Sequence, residues 1–154
     1  MISGGQSGVD RAALDAALAA GLAIGGWCPR GRWAEDGPID RAYPLRETPL
    51  APVSQRTLWN LRDSDGTLIL CRGRPRGGTA LTLQAVRRKP RLLVDPDDRH
   101  RLRFVRGWLI GQRIAVLNVG GPRASEDPGI YRAARGFLAA LFSNDRTGSS
   151  APHT

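Results

Sequence analysis

Three short runs, Thr67–Cys71, Leu92–Val94 and Ile114–Val119, are apolar almost without interruption, and each is followed by a stretch with helical spacing. A strand with one wet face alternates apolar and polar residues; a run without that alternation is covered on both faces, as in a parallel sheet. Parallel neighbours are joined by crossovers, usually helices. The chain is therefore expected to form an α/β, doubly wound parallel sheet of about five strands with helices on both faces.

The helices follow from spacing and punctuation. In the segment Asp10–Ala20, Val9, Ala13, Leu14, Ala17 and Leu18 recur at helical intervals and Gly21 follows as a stop. Ser7 and Asp10, three apart, resemble a capping box. Ser54–Asp63 suits a second helix, Gly77 to about Arg88 a third before Pro90, and Arg101–Gln112 a fourth. In Pro128–Phe142, Asp127 is placed to cap, Pro128 takes the first helical position, and Ile130, Ala134, Phe137, Leu138 and Leu141 make one apolar face. Leu22–Trp27 reads as a further strand despite its glycines, and 28–50 as a long loop of the kind that is functional or mobile.

The 154 residues suit one domain, expected over 1–143, with the polar stretch 144–154 as a disordered tail. No apolar run approaches the roughly 18 residues of a membrane span. The start lacks a basic n-region and apolar h-region, so the expected compartment is the cytoplasm. Cys28 and Cys71 are too far apart for a metal motif and read as buried apolar residues. With His100 and His153 as the only histidines, no metal site and no histidine triad is expected. The net charge of +9 comes from 22 arginines and one lysine against 14 acidic residues. That balance is compatible with an anionic partner and reads either as a basic face for nucleic acid or as a composition that writes Arg in place of Lys; the arginines are spread along the chain without an aromatic-interleaved basic stretch, which favours the second.

In doubly wound sheets ligands bind outside the carboxyl ends of the strands. Three glycine-bearing segments fall there: Ser3-Gly4-Gly5-Gln6-Ser7-Gly8, Gly73 to Gly77-Gly78-Thr79, and Asn118-Val119-Gly120-Gly121-Pro122-Arg123. Glycine lets backbone N–H groups approach a ligand, and a helix N-terminus behind them favours an anion. Neither GxGxxG with its acidic residue nor GxxxxGK[ST] is present, which excludes those two nucleotide motifs. Arg56, Asn60 and Asp63 share one helical stripe, facing either ligand or solvent. Arg123 is placed to clamp an anion. Asp10 either contacts ligand or caps its own helix; Glu35 and Asp36 either close over a ligand or are simply solvated.

Taken together, Ser3 to Asp15, Gly26-Trp27-Cys28-Pro29-Arg30-Gly31-Arg32, Arg56-Thr57-Leu58-Trp59-Asn60, Asp63-Ser64-Asp65-Gly66-Thr67, Gly77-Gly78-Thr79 and Leu117 to Arg123 resemble the putative molybdenum carrier family, in order from Met1 to about Phe142. That family resembles a branch of the Rossmann-like superfamily containing the DNA-processing protein Smf and lysine decarboxylase-like cytokinin-activating enzymes. The resemblance implies a Rossmann-like fold, a homodimer, and a nucleotide-like or molybdopterin-type ligand, with molybdenum cofactor or a nucleotide as the group bound. The residues expected at the ligand are Ser3, Gly4, Gly5, Gln6, Ser7, Asp10, Arg56, Asn60, Asp63, Gly77, Gly78, Thr79, Asn118, Gly120, Gly121 and Arg123.

Two departures qualify the resemblance. Relatives carry a full first strand before the Ser-Gly-Gly loop, whereas only Met1 and Ile2 precede it here, which reads as a truncated start with a weakened central strand. The cytokinin-activating relatives also use Gly-Gly-x-Gly-Thr-x-x-Glu, and Thr82 stands where that glutamate belongs. A threonine is no carboxylate base. The expected function is thus binding without catalysis, a putative cofactor carrier; the alternatives are a nucleotide N-glycosidase using Asp10, Asp63 or Asp65, and a nucleic-acid-binding module.

Overall fold

Strand β3 (Gly66–Leu70) is the most hidden element of the computed structural model, which describes residues 1–86 and 88–143. All five of its residues are buried, as the apolar run requires. It pairs in parallel with β4 (Arg91–Val94) on one side and β5 (Leu117–Gly120) on the other, giving the order β4-β3-β5. Register places Thr67 opposite Asn118 and Leu68 opposite Val119. Period-two alternation then sends Leu68, Leu70, Leu117 and Val119 to one face, where they join the main core with α1 (Val9–Ala19), α4 (Leu102–Gly111) and α5 (Ile130–Phe142). Ala12, Ala13, Ala16 and Ala17 of α1 are buried, and such small side chains let α1 and α5 pack closely.

The other strand pair is β1 (Trp27–Cys28) with β2 (Arg46–Glu47), also parallel. The expected single sheet of about five strands is thus two sheets of three and two, joined through one residue. Ile2 makes isolated parallel bridges to Asn118 and Gly25; its N–H donates to the Leu117 carbonyl at 2.8 Å and its carbonyl accepts from Val119 N–H at 3.1 Å. The first strand is reduced to that link. The strand expected over 22–27 is likewise confined to its end, because Gly26 sits at φ 127°, outside extended geometry, where a Cβ would fall 2.3 Å from Ser3 O.

Other boundaries moved for identifiable reasons. α1 has Gly8 at its N-cap and no side-chain cap, so the Ser7–Asp10 box does not form. Asp127 does not cap α5 and Pro128 is not its first residue: left-handed Gly129 precedes Ile130, and the Asp127 carboxylate pairs with Arg72 at 3.3 Å. β5 begins at Leu117 rather than Ile114, because the Asp65 carboxylate holds Ala115 and Val116 N–H groups in the turn before it. α2 (Val53–Asp63) matches expectation, and its C-terminal carbonyls are gathered by Lys89, whose ammonium donates to Leu61, Arg62 and Ser64. α3 (Gly77–Ala85) ends before the expected Arg88. Residue 87 and the tail 144–154 lie outside the described residues.

The long 28–50 loop is held rather than loose. Arg32 donates to the carbonyls of Ile39, Asp40, Tyr43 and Leu45, folding the segment around one guanidinium. Ala34, Ile39 and Leu45 then pack with Leu14 and Cys28 in a second, smaller core. Among the described residues no helix is long and apolar enough to cross a membrane.

Candidate functional site

The loops after Ile2, β3 and β5 all leave the sheet at its carboxyl edge. There they meet α2 around a crevice of about 90 Å³. Gly4 and Gln6 come from the first segment and Asp10 from the start of α1 behind it, Gly78 and Thr79 from the second, and Asn118, Gly120, Gly121 and Arg123 from the third. α2 adds Val53, Arg56, Thr57 and Asn60, which stand at i, i+3, i+4 and i+7 and so form one stripe.

Arg56 defines the floor. It is 7% exposed, and its Nη1 lies 3.1 Å from Asp10 Oδ2. Gly4 is the reason it fits, because a Cβ there would fall 1.8 Å from Arg56 Nη1. The Arg56 Nε is buried without a hydrogen-bond partner. Such an orphan donor costs more in a folded protein than a satisfied one, and its placement beside a crevice marks where an acceptor is wanted.

Asp10, 8% exposed, accepts from Gln6 N–H at 3.4 Å as well as from Arg56. Burial pushes its carboxyl above the usual carboxylate range, against the pull of the Arg56 guanidinium. Its Oδ1 lies toward Gly120. At the rim, Arg123 Nε is 3.4 Å from Glu126, another lining residue, so each crevice cation is accompanied by a carboxylate.

Below the first loop Glu35 acts as a staple. Its carboxylate accepts from Ser7 Oγ, from Ser125 N–H at 3.0 Å and from Ser125 Oγ at 2.5 Å, tying the first glycine loop to the third. Those hydrogen bonds, Ser125 foremost, hold its carboxyl below the ordinary range. Glu35 is therefore neither a lid nor a merely solvated group, and Asp36 pairs with Arg11 at 3.1 Å.

With that geometry in place, a family model gives the chain its relationship: the circularly permutated YpsA SLOG family matches residues 1–142. The chain belongs to that family. A solved structure, the putative molybdenum carrier protein from Syntrophus aciditrophicus SB, is 44% identical to it, covering 92% of each chain with a TM-score of 0.87. No curated protein matches.

Within this SLOG-family chain, the sequence-predicted residues divide into those on the crevice and those behind it. Ser3, Gly5, Ser7, Asp63 and Gly77 do not line it. Ser3 is buried and its Oγ donates to the Val119 carbonyl at 2.6 Å, holding the first loop to β5. Gly5 lies under Ile39 and Leu45. Asp63 turns away to accept from Trp27 Nε1 at 2.7 Å and from Arg62. Asn60 lines the crevice with its amide already engaged, accepting from Trp27 N–H at 2.8 Å and donating to Trp27 O at 3.0 Å. That pairing extends β1 as another strand would.

Sequence reasoning missed Val53, Thr57 and Glu126. The first two were accessible from helical spacing around Arg56; Glu126 depends on the turn after Arg123, for which the sequence carries no periodic signal. Thr82 lines the crevice too, its Oγ1 donating to the Gly78 carbonyl at 2.9 Å. Among the described residues no group of three or more His, Cys, Asp or Glu side chains is arranged to hold a metal.

Proposed function

We propose that residues 1–143 act as one cytoplasmic unit that binds a small phosphate-bearing, nucleotide-like or molybdopterin-type anion at this crevice and carries it unaltered. The observation that bears most weight is the unpartnered, buried Nε of Arg56 where three glycine-bearing loops meet. A charged donor in a water-poor site is suited to an oxyanion, and the α3 N-terminus with Gly78 and Thr79 adds backbone N–H groups. The carrier name of the 44% identical relative agrees with this reading.

AMP is the probe. The purified protein is expected to bind it and to release no ribose 5-phosphate, while native mass spectrometry of the untreated protein looks for a co-purifying nucleotide or pterin. Arg56→Met should weaken AMP binding by about 10- to 100-fold, the range for a hydrogen bond to a charged group. Equal affinity in that variant overturns the site assignment.

One observation favours an N-glycosidase as the second reading. Of Asp10, Asp63 and Asp65, only Asp10 lines the crevice, and burial raises its carboxyl above that of an ordinary aspartate, against the pull of Arg56. Ribose 5-phosphate release that disappears in Asp10→Asn would replace the carrier reading with this one.

A further inference from the structure

We propose that the crevice takes its anion together with a proton, which is held on Asp10. The inference rests on the anion-binding reading above and adds the charge and hydrogen-bonding pattern of the bound state.

The charges around Asp10 are few. Among the described residues Arg56, from α2, is the one cation bonded to it, at 3.1 Å, with Arg11 adding a weaker attraction. Arg11, on α1 itself, turns its guanidinium to the Gly5 carbonyl and Asp36. The segment after β5 supplies Arg123 and Glu126, 3.4 Å apart, and the 28–50 loop supplies Glu35, 4.0 Å from Arg123. β5 and α3 face the crevice with Asn118, Gly120, Thr79 and Thr82, none of which carries charge. Each cation is already matched, so no surplus positive charge awaits an anion.

An anion accepting from Arg56 Nε shares one buried guanidinium with the Asp10 carboxylate. Two negative groups on one buried cation do not both stay ionised; the proton affinity of one of them rises. Asp10 is placed to take that proton, since burial already favours its neutral form. Its Oδ1 has no hydrogen-bond partner among the described residues, whereas Oδ2 receives both Gln6 and Arg56. Protonation converts an acceptor-only group into one that donates an O–H. The bound state then presents two donors, Arg56 Nε–H and Asp10 Oδ1–H, to an oxyanion or phosphate ester with acceptor oxygens only. A ligand lacking negative charge gives no reason for the proton to be taken up.

The test follows the Asp10 carboxyl carbon by NMR in the full chain, its resonance assigned from its loss in Asp10→Asn, over the whole pH range in which the protein stays folded, with and without saturating AMP. Observing the carbon separates Asp10 from the AMP phosphate, whose own second ionisation lies near pH 6. The midpoint is expected to rise by one unit or more on saturation. Linkage then requires AMP to bind at least tenfold more tightly to the protonated form than to the ionised one. In Asp10→Asn the affinity should match the wild-type value at low pH and lose that part of its pH dependence. If the variant does not fold, the Asp10 carbon is assigned in the wild type through its scalar couplings to the Asp10 backbone amide, and its titration decides alone. A midpoint that stays or falls when AMP is bound overturns the proton uptake and leaves the binding site standing. Failure of both AMP and inorganic phosphate to bind at any pH overturns the anion-binding reading and this inference with it.

Discussion

Along α1 seven of eleven residues are buried, while along α3, which lends Gly78, Thr79 and Thr82 to the same crevice, Thr79 is the one buried residue of nine. α1 is continuous with the main core through Val9, Ala12, Ala13 and Ala16. α3 carries no charged residue, yet its Leu81 is 66% exposed. Apolar composition therefore says little about anchoring; what matters is whether a second element faces the residue. Asp10, in the first turn of α1, inherits the stability of the core, whereas Gly78, in the first turn of α3, belongs to a helix expected to open locally at smaller cost.

Substitutions on the two sides make this contrast measurable. Phe137→Ala, in α5 beneath α1, empties a fully buried position and is expected to cost about 3–5 kcal/mol in denaturant unfolding. A loss under about 1 kcal/mol would mean that this half is no better packed than the other, a surface-like value.

Glu35→Gln probes the staple between the first and third loops and should cost about 1–2 kcal/mol at neutral pH, the range for charge-assisted hydrogen bonds of a partly exposed group. Its pH dependence has a definite sign. The folded-state carboxyl lies below its unfolded value, so the ionised form is favoured on folding. That contribution is complete above the unfolded value near 4.3 and fades as pH falls through the lower folded value. Wild type and variant should therefore converge in acid. Curves that remain parallel would assign the loss to packing.

The smallest effect is expected at Leu81→Ala, within about 0.5 kcal/mol, as for other exposed positions. Hydrogen exchange gives the complementary reading: α3 amides are expected to exchange well before those of α1. Equal protection would show that α3 is anchored by something other than its own buried surface.

How far the sequence carried depended on range. β3 was plain because all five of its residues are apolar or small and all are covered. α2 was plain from spacing, and so were the three glycine-bearing segments that the crevice brings together. Asp10 shows the limit: its spacing from Ser7 satisfied a local capping pattern, but Arg56, 46 positions away, claimed its carboxylate. Asp127 failed as a cap for the same reason, through Arg72. Glu35 looked solvated because its partners Ser7 and Ser125 lie 28 and 90 positions distant. The sheet was overestimated because Ile2 can bridge both neighbours without a strand's length, and alternation in sequence cannot register a single residue.

The contact of Lys89 with the end of α2 has a consequence for chemical modification. Lys89 is the only lysine in the chain, so every ε-amine acylation or amine-directed label on a side chain falls there. Its ammonium is also the group that gathers the carbonyls of Leu61, Arg62 and Ser64. Acylation would replace three charge-assisted donors by one neutral N–H and release the last turn of the helix that carries Arg56. A tag attached through lysine would thus be no neutral reporter on this protein; it would loosen the support of the arginine that the crevice is built around.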